Sequence, residues 1–498
     1  MASHSLPVDR TIGAAWAERL RPSMTDLFFV AVMVWSFLAS GNGWARFLLD
    51  GDVMMHTRLG QRILETGAIP AVDSASFTKP GAAWFDFEWL AEVLFAFLHQ
   101  TWGFGSIALL SGTLIGLTLA LVYYDCLRRG VHPFLATLLT LVATNALNLH
   151  FHARPVLFTY LFVVVTMILL NRDREQPSCM IWLLPLMAMV WVNLHPGVAI
   201  LFPLIAIAGV CAGSVAGLLR YAMVGGACAL ATLVNPYGIE LHKHLSAALS
   251  SSWILQFAVE YKSPEFRGEF MMFFAVIFLL GLGCVGMFLA QGKYTEALWI
   301  LFLGYSTLVS RRHGAIFLLV VTPMAGLLLS QWWRRFVDAQ PKKATARIFD
   351  EIWTNGFKVE PTFWLPLFAL LIVVFNPVPL PTKPASEIYP ASLVERHREL
   401  LISSRVFTSE QWADYLYYTN YPRQKVFMDP RHDFYDAEIG EPYLAIANGM
   451  PGWEKLAGRF GVNLILVKPE SPLVSSLERD AGWRKLDGDQ QAVLYQKL

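Results

Sequence analysis

Long apolar runs, separated by short polar segments, dominate the chain up to residue 377. Eleven of these runs approach the length of about 20 residues that a helix needs to cross the hydrocarbon core of a bilayer. The predicted spans are 26–46, 105–125, 132–150, 155–171, 180–195, 198–217, 220–236, 269–290, 294–310, 313–332 and 361–377. Residues 26–377 are therefore predicted to form a mainly α, polytopic membrane helix bundle.

The pattern changes after the Pro-rich connector NPVPLPTKP (376–384), which cannot continue the last helix. The polar segment that follows alternates strand-like and helix-like stretches. These are a strand at 405–407, a helix from a capping box at Thr408–Gln411 to Tyr418, a strand at 425–429, a helix near 452–460, a strand at 463–467, a helix from Pro472 and a hairpin that turns at 487–490. Residues 378–498 are predicted to form a small α/β domain.

Basic residues between the runs indicate which ends of the spans face the cytoplasm. With the arginine-rich segment 1–25 inside, eleven spans also place inside Arg128, Arg129, the segment 171–174, Arg220, Lys293 and the segment 334–358. The segment 87–102 has a short apolar part interrupted by ionisable residues, so we interpret it as a helix in the membrane interface; if it crossed, the later basic clusters would face outward. The first loop (47–104) and the C-terminal domain are then external, on the periplasmic side of a bacterial inner membrane.

The composition agrees with a membrane protein and narrows its partners. The 498 residues are 55% hydrophobic and 15% charged, and the net charge is +1. No basic stripe of the kind that binds nucleic acid stands out, and membrane lipids are expected around the spans. The five cysteines lie in or beside apolar runs, so the sequence indicates neither a disulfide framework nor a CxxC metal site.

The first loop opens with DGDVMMHTRLGQRILETGAIP (50–70), which predicts an amphipathic helix over 52–66 that ends at Gly67. On a wheel of about 100° per residue, the apolar side faces membrane or protein. Asp52 and His56 lie one turn apart within this apolar arc, so both are expected to point toward the protein body. Two interpretations remain open: a functional pair, or a helix N-cap (Asp52) satisfied by His56.

Further polar residues border the spans on the predicted external side, where such groups are functional candidates. They are Asp86, Glu88, His150, His152, Arg154, His195, Asn235, Tyr237, Arg311, Arg312 and His313. Because a guanidinium binds phosphate through two hydrogen bonds, the three arginines suit a phosphate ligand. For Arg311 and Arg312 the alternative is anchoring at the membrane interface.

The histidines at 150, 152 and 195 raise the question of a divalent metal. Alternating histidines point in different directions on a strand or a helix, so His150 and His152 can share one ion only in an irregular loop. Hydrogen bonding to phosphate or to sugar hydroxyls is the favoured use of these side chains. No cofactor is required, and a divalent metal remains the less favoured alternative.

Several motifs resemble bacterial membrane proteins of the GT-C glycosyltransferase superfamily, over nearly the whole chain. The matching motifs are Gly51-Asp52-x-x-x-His56-x-x-x-Gly60, Glu88-Trp89-Leu90, Asn193-Leu194-His195, Asn235-Pro236-Tyr237-Gly238, Arg311-Arg312-His313 and Val426 to Arg431. Pro430 departs from the pattern, since similar proteins usually have glycine there. Trp412-Ala413-Asp414-Tyr415 resembles the Trp-Trp-Asp-Tyr-Gly motif of oligosaccharyltransferases, without its second tryptophan and its glycine.

The resemblance implies an enzyme that moves a sugar from a polyprenyl-phosphate donor to a glycan, lipid or protein acceptor outside the cytoplasm. The acidic residue that the family places in the first external loop maps to Asp52, which would act as general base in an inverting transfer, oriented by His56. Two other classes stay open: a transporter or flippase of lipid-linked sugars, and a non-catalytic assembly protein for an envelope polysaccharide.

Overall fold

The chain folds mainly into helices. The computed structural model describes residues 20–39, 43–268, 271–341, 343–355, 358–362, 364–375 and 388–498. The helices of the apolar region are α1 (Met24–Val34), α2 (Asp52–Thr66), α3 (Trp89–Trp102), α4 (Phe104–Arg128), α5 (Pro133–Leu147), α6 (Val156–Glu175), α7 (Leu183–Leu194), α8 (Leu201–Val210), α9 (Val215–Ala231), α10 (Ile239–Leu249), α11 (Ser252–Phe257), α12 (Met271–Ala290), α13 (Tyr294–Val309), α14 (Gly314–Asp338), α15 (Thr345–Asn355) and α16 (Trp364–Val374). Short 3-10 turns lie at Gly43–Leu48, Asn148–His150, Cys179–Trp182, Pro196–Ile200, Val259–Tyr261 and Arg311–His313, and a π-helical turn, Trp35–Ala39, continues α1.

An apolar helix occurs at each of the predicted spans. In the described part of the chain, four helices are long and apolar enough to cross a bilayer by length and composition: α4, α6, α12 and the segment Arg311–Asp338, which contains α14. The other apolar helices are shorter. The protein is therefore a membrane protein, while the number of spans stays a prediction.

Burial distinguishes the central helix of the bundle from a peripheral one. In the segment Arg311–Asp338, which contains α14, 83% of the apolar stretch is buried inside the protein, whereas in α12 the fraction is 28%. Apolar side chains that no helix covers suit contact with lipid tails. The turn Arg311–His313, which precedes α14, is consequently held by the most enclosed helix among these spans.

The first loop packs against protein on both of its helices. Val53, Met55 and Leu59, on the apolar side of α2, are buried, and α2 contacts both α3 and the C-terminal region. Gly67 ends α2 in the left-handed conformation (φ 66°), as the sequence predicted. The helix predicted over 87–102 is present as α3, although its position relative to a membrane interface stays a prediction.

The C-terminal region forms a small α/β unit. Its elements are α17 (Ala391–Arg396), α18 (Arg398–Ser403), β1 (Val406–Phe407), α19 (Glu410–Asn420), α20 (Ala437–Ala447), α21 (Trp453–Arg459), β2 (Leu464–Val467), α22 (Pro472–Leu477), β3 (Trp483–Gly488) and β4 (Val493–Lys497). The sheet has the order β1-β2-β4-β3, with β1 and β2 parallel and the other pairs antiparallel. The predicted helices, the predicted strands at 405–407 and 463–467 and the terminal hairpin are confirmed.

Two local predictions in this region were wrong. The segment 425–429 is not a strand; the backbone of Val426 instead bonds to Ala75 and Phe77 of the first loop and makes only isolated bridges, in the described residues, to Ser76 and Val406. The capping box at Thr408–Gln411 does not form, because α19 begins at Glu410 and the hydroxyl of Tyr443 accepts the Glu410 N–H. Contacts distant in sequence replaced the local ones in both cases.

Candidate active site

Two acids and an arginine form the centre of the candidate site. Asp50 precedes α2, Asp52 is its first residue, and Arg154 lies in the turn before α6. Arg154 Nη2 contacts Oδ2 of Asp50 and lies 2.9 Å from Oδ2 of Asp52. The Asp52 side chain is 16% exposed, so it can be reached from outside although it is paired. The centre therefore holds a carboxylate oriented by a guanidinium.

The start of α2 shows that Asp52 is not the helix cap. The N-cap residue is Gly51, and the carboxylate of Asp50 accepts the Asp52 N–H at 3.2 Å. A Cβ at position 51 would lie 2.9 Å from the backbone oxygen of Gln411, so glycine is needed for the close approach of α19. The Asp52 carboxylate therefore does not cap the helix and is available to contact other groups.

Glu260 connects two of the predicted arginines. Its carboxylate oxygens lie 4.0 Å from Nη1 of Arg154 and 3.8 Å from Nη1 of Arg312. Arg312 also lies over the Tyr261 ring at 4.6 Å, and the Arg311 N–H donates to the Lys262 carbonyl at 2.9 Å. The turn at 311–313 therefore brings a second guanidinium to the centre, through an acid that the sequence analysis missed.

His56 pairs with acids of α3 and the preceding loop. Its Nδ1 lies 3.0 Å from Oε1 of Glu92, and its Nε2 lies 3.7 Å from Oε2 of Glu88. The other oxygen of Glu88 lies 3.6 Å from Nε2 of His195. The predicted residues of the first loop and of the turn after α7 therefore meet, but the partners of His56 are glutamates and not Asp52.

The orientation of His195 follows from its own turn. Its Nδ1 accepts the Gly197 N–H at 2.9 Å and lies 2.8 Å from the Thr159 hydroxyl, which also accepts from Trp191 Nε1. Since Nδ1 accepts a backbone hydrogen bond, the neutral ring carries its proton on Nε2, the nitrogen that faces Glu88. His195 is therefore fixed as a donor toward that carboxylate.

The two central aspartates differ in acidity. Burial raises the pKa of Asp52 to about 6, Arg154 opposes the rise and Asp50 adds to it. Burial also acts on Asp50, but Arg154 and then His152 hold the pKa of Asp50 below its ordinary value. Of these neighbouring carboxylates, Asp52 is thus the stronger base.

Three acids in or beside α3 have raised pKa values. Burial raises the pKa of Glu88 to about 7 and the pKa of Glu92 to about 8. Burial, together with the nearby Glu92, raises the pKa of Asp86 well above its ordinary range. With these values, Glu88 and Glu92 can take up and release protons near physiological pH.

Asn235 and Tyr237 hold a loop in place. The amide nitrogen of Asn235 donates to the carbonyls of Thr232 and Gly238, and its oxygen accepts the Tyr237 N–H at 2.8 Å. The Tyr237 hydroxyl accepts the Asp86 N–H at 2.9 Å. These contacts give both residues a role in positioning the first loop, and substrate binding by them stays a prediction.

A divalent metal stays the less favoured alternative at the centre. Among the described residues, no three His, Cys, Asp or Glu side chains are grouped so as to hold a metal ion. Asp50 and Asp52 already share Arg154, and His195 uses Nδ1 within its own turn. His150 ends a 3-10 turn, and His313 directly precedes α14.

The C-terminal unit reaches the first loop through Arg431. Its Nη2 lies 2.6 Å from Oδ1 of Asp73 and 2.7 Å from Oδ2 of Asp429, and its guanidinium lies 4.5 Å from the Trp84 ring centre. Both aspartates are buried. The segment from Val426 to Arg431 is consequently built into the structure that carries the candidate site.

The C-terminal unit also contributes a buried carboxyl group close to the centre. Asp414 of α19 is fully buried, and neither oxygen has a hydrogen-bond partner among the described residues. Burial, with Asp52 next, raises the pKa of Asp414 well above its ordinary range, which favours its neutral form. A neutral acid can pack beside Asp50 and Asp52 without charge repulsion.

An acid–arginine centre thus lies beside an apolar helix bundle, with a small α/β unit packed on the first loop. The structure is similar to that of the archaeal oligosaccharyltransferase AglB from Archaeoglobus fulgidus in complex with an inhibitory peptide and a dolichol-phosphate (TM-score 0.58, 13% identity, covering 89% of this chain and 69% of that one). It is also similar to the Archaeoglobus fulgidus oligosaccharyltransferase in the apo form (TM-score 0.54, 11% identity, with the same coverages of 89% and 69%). No protein-family model matches the chain, and no curated protein matches it.

At these identities the likeness is one of fold. It extends over 89% of the chain, so the mainly helical fold is like that of these oligosaccharyltransferases over most of its length. The activity of this chain has to be argued from its own side chains.

Proposed function

We propose that this protein is an inverting glycosyltransferase that moves a sugar from a polyprenyl-phosphate donor to a glycan, lipid or protein acceptor, on the periplasmic side of a bacterial inner membrane. The observation that carries the proposal is the partly exposed carboxylate of Asp52, oriented by Arg154 within a GT-C fold. The AglB structure contains a dolichol-phosphate, a ligand of the donor class proposed.

Asp52 would act as the general base. The acceptor group attacks the anomeric carbon from the side opposite the phosphate, its proton passes to Asp52, and the bond to the phosphate oxygen breaks with its electrons on that oxygen. A phosphate is a good leaving group, so the reaction needs little acid assistance. The pKa of about 6 for Asp52, raised chiefly by burial, gives a base that is charged yet effective at neutral pH.

Arg154 and Arg312 would hold the lipid phosphate. Both guanidinium groups reach Glu260, at 4.0 and 3.8 Å, distances too long for strong hydrogen bonds. A phosphate that enters between the two arginines would gain two bidentate partners and neutralise them better than Glu260 does. The negative charge that develops on the leaving phosphate would be stabilised by the same groups.

The proposal is tested by Asp52→Asn. The substrate is first identified as the glycan or lipid-linked sugar whose mass changes when the gene is deleted. Asp52→Asn is expected to abolish transfer while expression and membrane insertion stay normal, and Glu65→Gln, an exposed acid on the same helix, serves as the control. Full transfer by Asp52→Asn would show that Asp52 is not the base. If substitutions of Asp52 and of Arg154 all leave transfer unchanged, a transporter or an assembly protein is favoured.

The location is tested separately with a topology reporter fused after Leu498. The proposal expects reporter activity on the periplasmic side. Cytoplasmic activity would refute both the eleven-span topology and the outward-facing site.

A further inference from the structure

The carboxyl group of Glu88 lies between two imidazole rings without a hydrogen bond to either. Its Oε2 lies 3.7 Å from Nε2 of His56, and its Oε1 lies 3.6 Å from Nε2 of His195. Hydrogen bonds between such groups are about 2.7–3.2 Å long, so both gaps are too wide. The Glu88 side chain is 17% exposed, and a ligand can therefore reach it.

Helix α3 does not use this carboxyl group. Glu88 is the N-cap residue of α3, a position where a carboxylate commonly accepts an N–H of the first turn, but its side chain makes no such bond. The contact between α2 and α3 is made elsewhere, at Gly60, where a Cβ would lie 1.9 Å from the Glu92 carbonyl oxygen. Partly exposed ion pairs with gaps of this width add little stability. Neither helix capping nor adhesion of the two helices accounts for Glu88.

His195 supplies a fixed donor to the same space. Its Nδ1 accepts the Gly197 N–H at 2.9 Å, so the proton of the neutral ring is on Nε2, which faces Glu88. The Thr159 hydroxyl, 2.8 Å from Nδ1, holds the ring in this orientation. The side chain is only 8% exposed. An enclosed N–H whose facing acceptor is out of reach costs free energy until water or a ligand bonds to it.

His56 bounds the opposite side of this space. Its Nδ1 lies 3.0 Å from Oε1 of the buried Glu92, which fixes the ring and leaves Nε2 toward Glu88. A hydroxyl group suits the gap, because it can donate to a carboxyl oxygen of Glu88, in either protonation state of that acid, and accept the His195 N–H. A phosphate does not suit it, because the Glu88 carboxylate would repel a second anion.

This space adjoins both parts of the proposed chemistry. His56 follows Asp52 by four residues on α2, which is about 6 Å along the helix axis and close to the length of one sugar ring. Asp52 also lies within electrostatic range of Glu88, and Arg312 lies within electrostatic range of His195. A sugar with its phosphate on Arg312 and its anomeric carbon facing Asp52 can therefore extend a hydroxyl to Glu88.

We propose that Glu88 and His195, with His56 beside them, bind a hydroxyl group of the sugar that is transferred, an inference that rests on the proposed function. The donor class is thereby narrowed to polyprenyl-phosphate sugars with a free hydroxyl at the position that reaches Glu88. A sugar without that hydroxyl leaves the Glu88 carboxyl group and the His195 N–H unpaired. Sites built to bond a substrate hydroxyl reject deoxy analogues for this reason.

Two variants remove the two sides of the subsite. Glu88→Ala deletes the acceptor without removing a helix cap. His195→Asn keeps an oxygen that can accept the Gly197 N–H and deletes the N–H that faces Glu88. Glu65→Ala, which removes an exposed acid of α2, is the control. Thermal unfolding in detergent shows whether each variant keeps its fold.

The test is equilibrium binding to the purified full-length protein, which requires no turnover. The probes are polyprenyl-phosphate diesters that carry glucose, galactose, mannose or N-acetylglucosamine, and the methyl diester, which has the same charge and no sugar. The wild type and Glu65→Ala are expected to bind at least one sugar diester about 10- to 100-fold more tightly than the methyl diester. Glu88→Ala and His195→Asn should lose most of this gain and keep the wild-type Kd for the methyl diester.

The same measurement can overturn the subsite in three ways. The wild type could show no gain for any of the sugars, both variants could keep the full gain, or both could lose affinity for the methyl diester as much as for the sugar diesters, which is the mark of a structural contact. Binding of the methyl diester by the wild type would support the proposed donor class in each of these cases. Failure of the wild type to bind any diester would refute that donor class together with the subsite. The base assignment is separate, because Asp52→Asn is judged by transfer and not by binding.

Discussion

Gly60→Ala tests whether the contact between α2 and α3 is as close as the structure has it. The added Cβ would lie 1.9 Å from the Glu92 carbonyl oxygen and 2.9 Å from the Cβ of Ala96. Since nonbonded heavy atoms need about 3.5 Å, the helices must separate by about 1.6 Å, the difference between 3.5 Å and 1.9 Å. The obstacle is backbone, so no side-chain rotation relieves it.

The separation should cost both stability and activity. Overpacking of this kind destabilises by about 1–3 kcal/mol, whereas helix propensity alone would favour alanine by about 1 kcal/mol. A shift of about 1 Å between Asp52 on α2 and Glu88 beside α3 should lower transfer about 100-fold. Thermal unfolding in detergent and the rate of sugar transfer measure the two effects.

The control for this variant is Gly226→Ala. Gly226 lies within α9, and a Cβ there meets no atom within 4 Å. It should leave transfer unchanged and stability equal or slightly higher. If Gly60→Ala unfolds at the wild-type temperature and transfers sugar at the wild-type rate, the close approach of α2 and α3 is refuted.

Three further predictions concern stability. Burial raises the pKa of Glu92 to about 8, against about 4.3 in an unfolded chain, so the folded state holds a proton that the unfolded state releases between these values. Stability should therefore fall as the pH rises from about 4 to about 8, and Glu92→Gln should flatten that fall in a thermal-unfolding series. Gly440→Ala should displace the Trp253 ring, which lies 1.7 Å from the added Cβ, and destabilise the chain by about 1–3 kcal/mol in the same assay. Arg431→Lys should lower the free energy of unfolding by about 1.5–3 kcal/mol for each charge-assisted hydrogen bond lost, because a lysine amine cannot bind Asp73 and Asp429 at once as the planar guanidinium does.

A specific result would contradict each of these three predictions. An equally steep fall with pH in Glu92→Gln would show that Glu92 is ionised in the folded chain. Gly458→Ala is the control for Gly440→Ala, because its Cβ meets only the Lys497 amine, at 3.9 Å. Unchanged unfolding of Arg431→Lys would mean that the fork contributes nothing to the attachment of the C-terminal unit.

The sequence predicted the helices well because their signals are local. Apolar runs, the glycine after α2 and the amphipathic arc of 52–66 all arise within a few turns of chain. The two predictions that were wrong depended on partners distant in sequence. The backbone of Val426 bonds to the first loop and not to a sheet, and the Tyr443 hydroxyl accepts the Glu410 N–H in place of the predicted cap of α19. No local pattern contains that information.

Most members of the candidate site were predictable from the sequence, whereas their pairing was not. The motif with Asp52 and His56 was found, yet helical spacing suggested that the two residues serve each other, and the structure gives them different partners in Arg154 and Glu92. Glu92 lies four residues after Glu88, so a helical wheel of 88–102 would have placed both acids on one side. Glu260 had no comparable signal, because it lies in a turn whose approach to Arg154 depends on the whole bundle.

Gly51 and Gly60, the glycines of the first motif, allow α2 to pack closely against both α3 and the C-terminal unit. Gly51 lets the backbone of α19 approach the start of α2, and Gly60 lets α3 approach its middle, so α2 lies between two close neighbours. Asp52 and His56 are on the helix so held, one beside Arg154 and one beside Glu92. The proposed base can stay beside Arg154 only if the helix that carries it does not move. On this reasoning the C-terminal unit acts on the proposed chemistry by fixing α2, even where it touches no substrate.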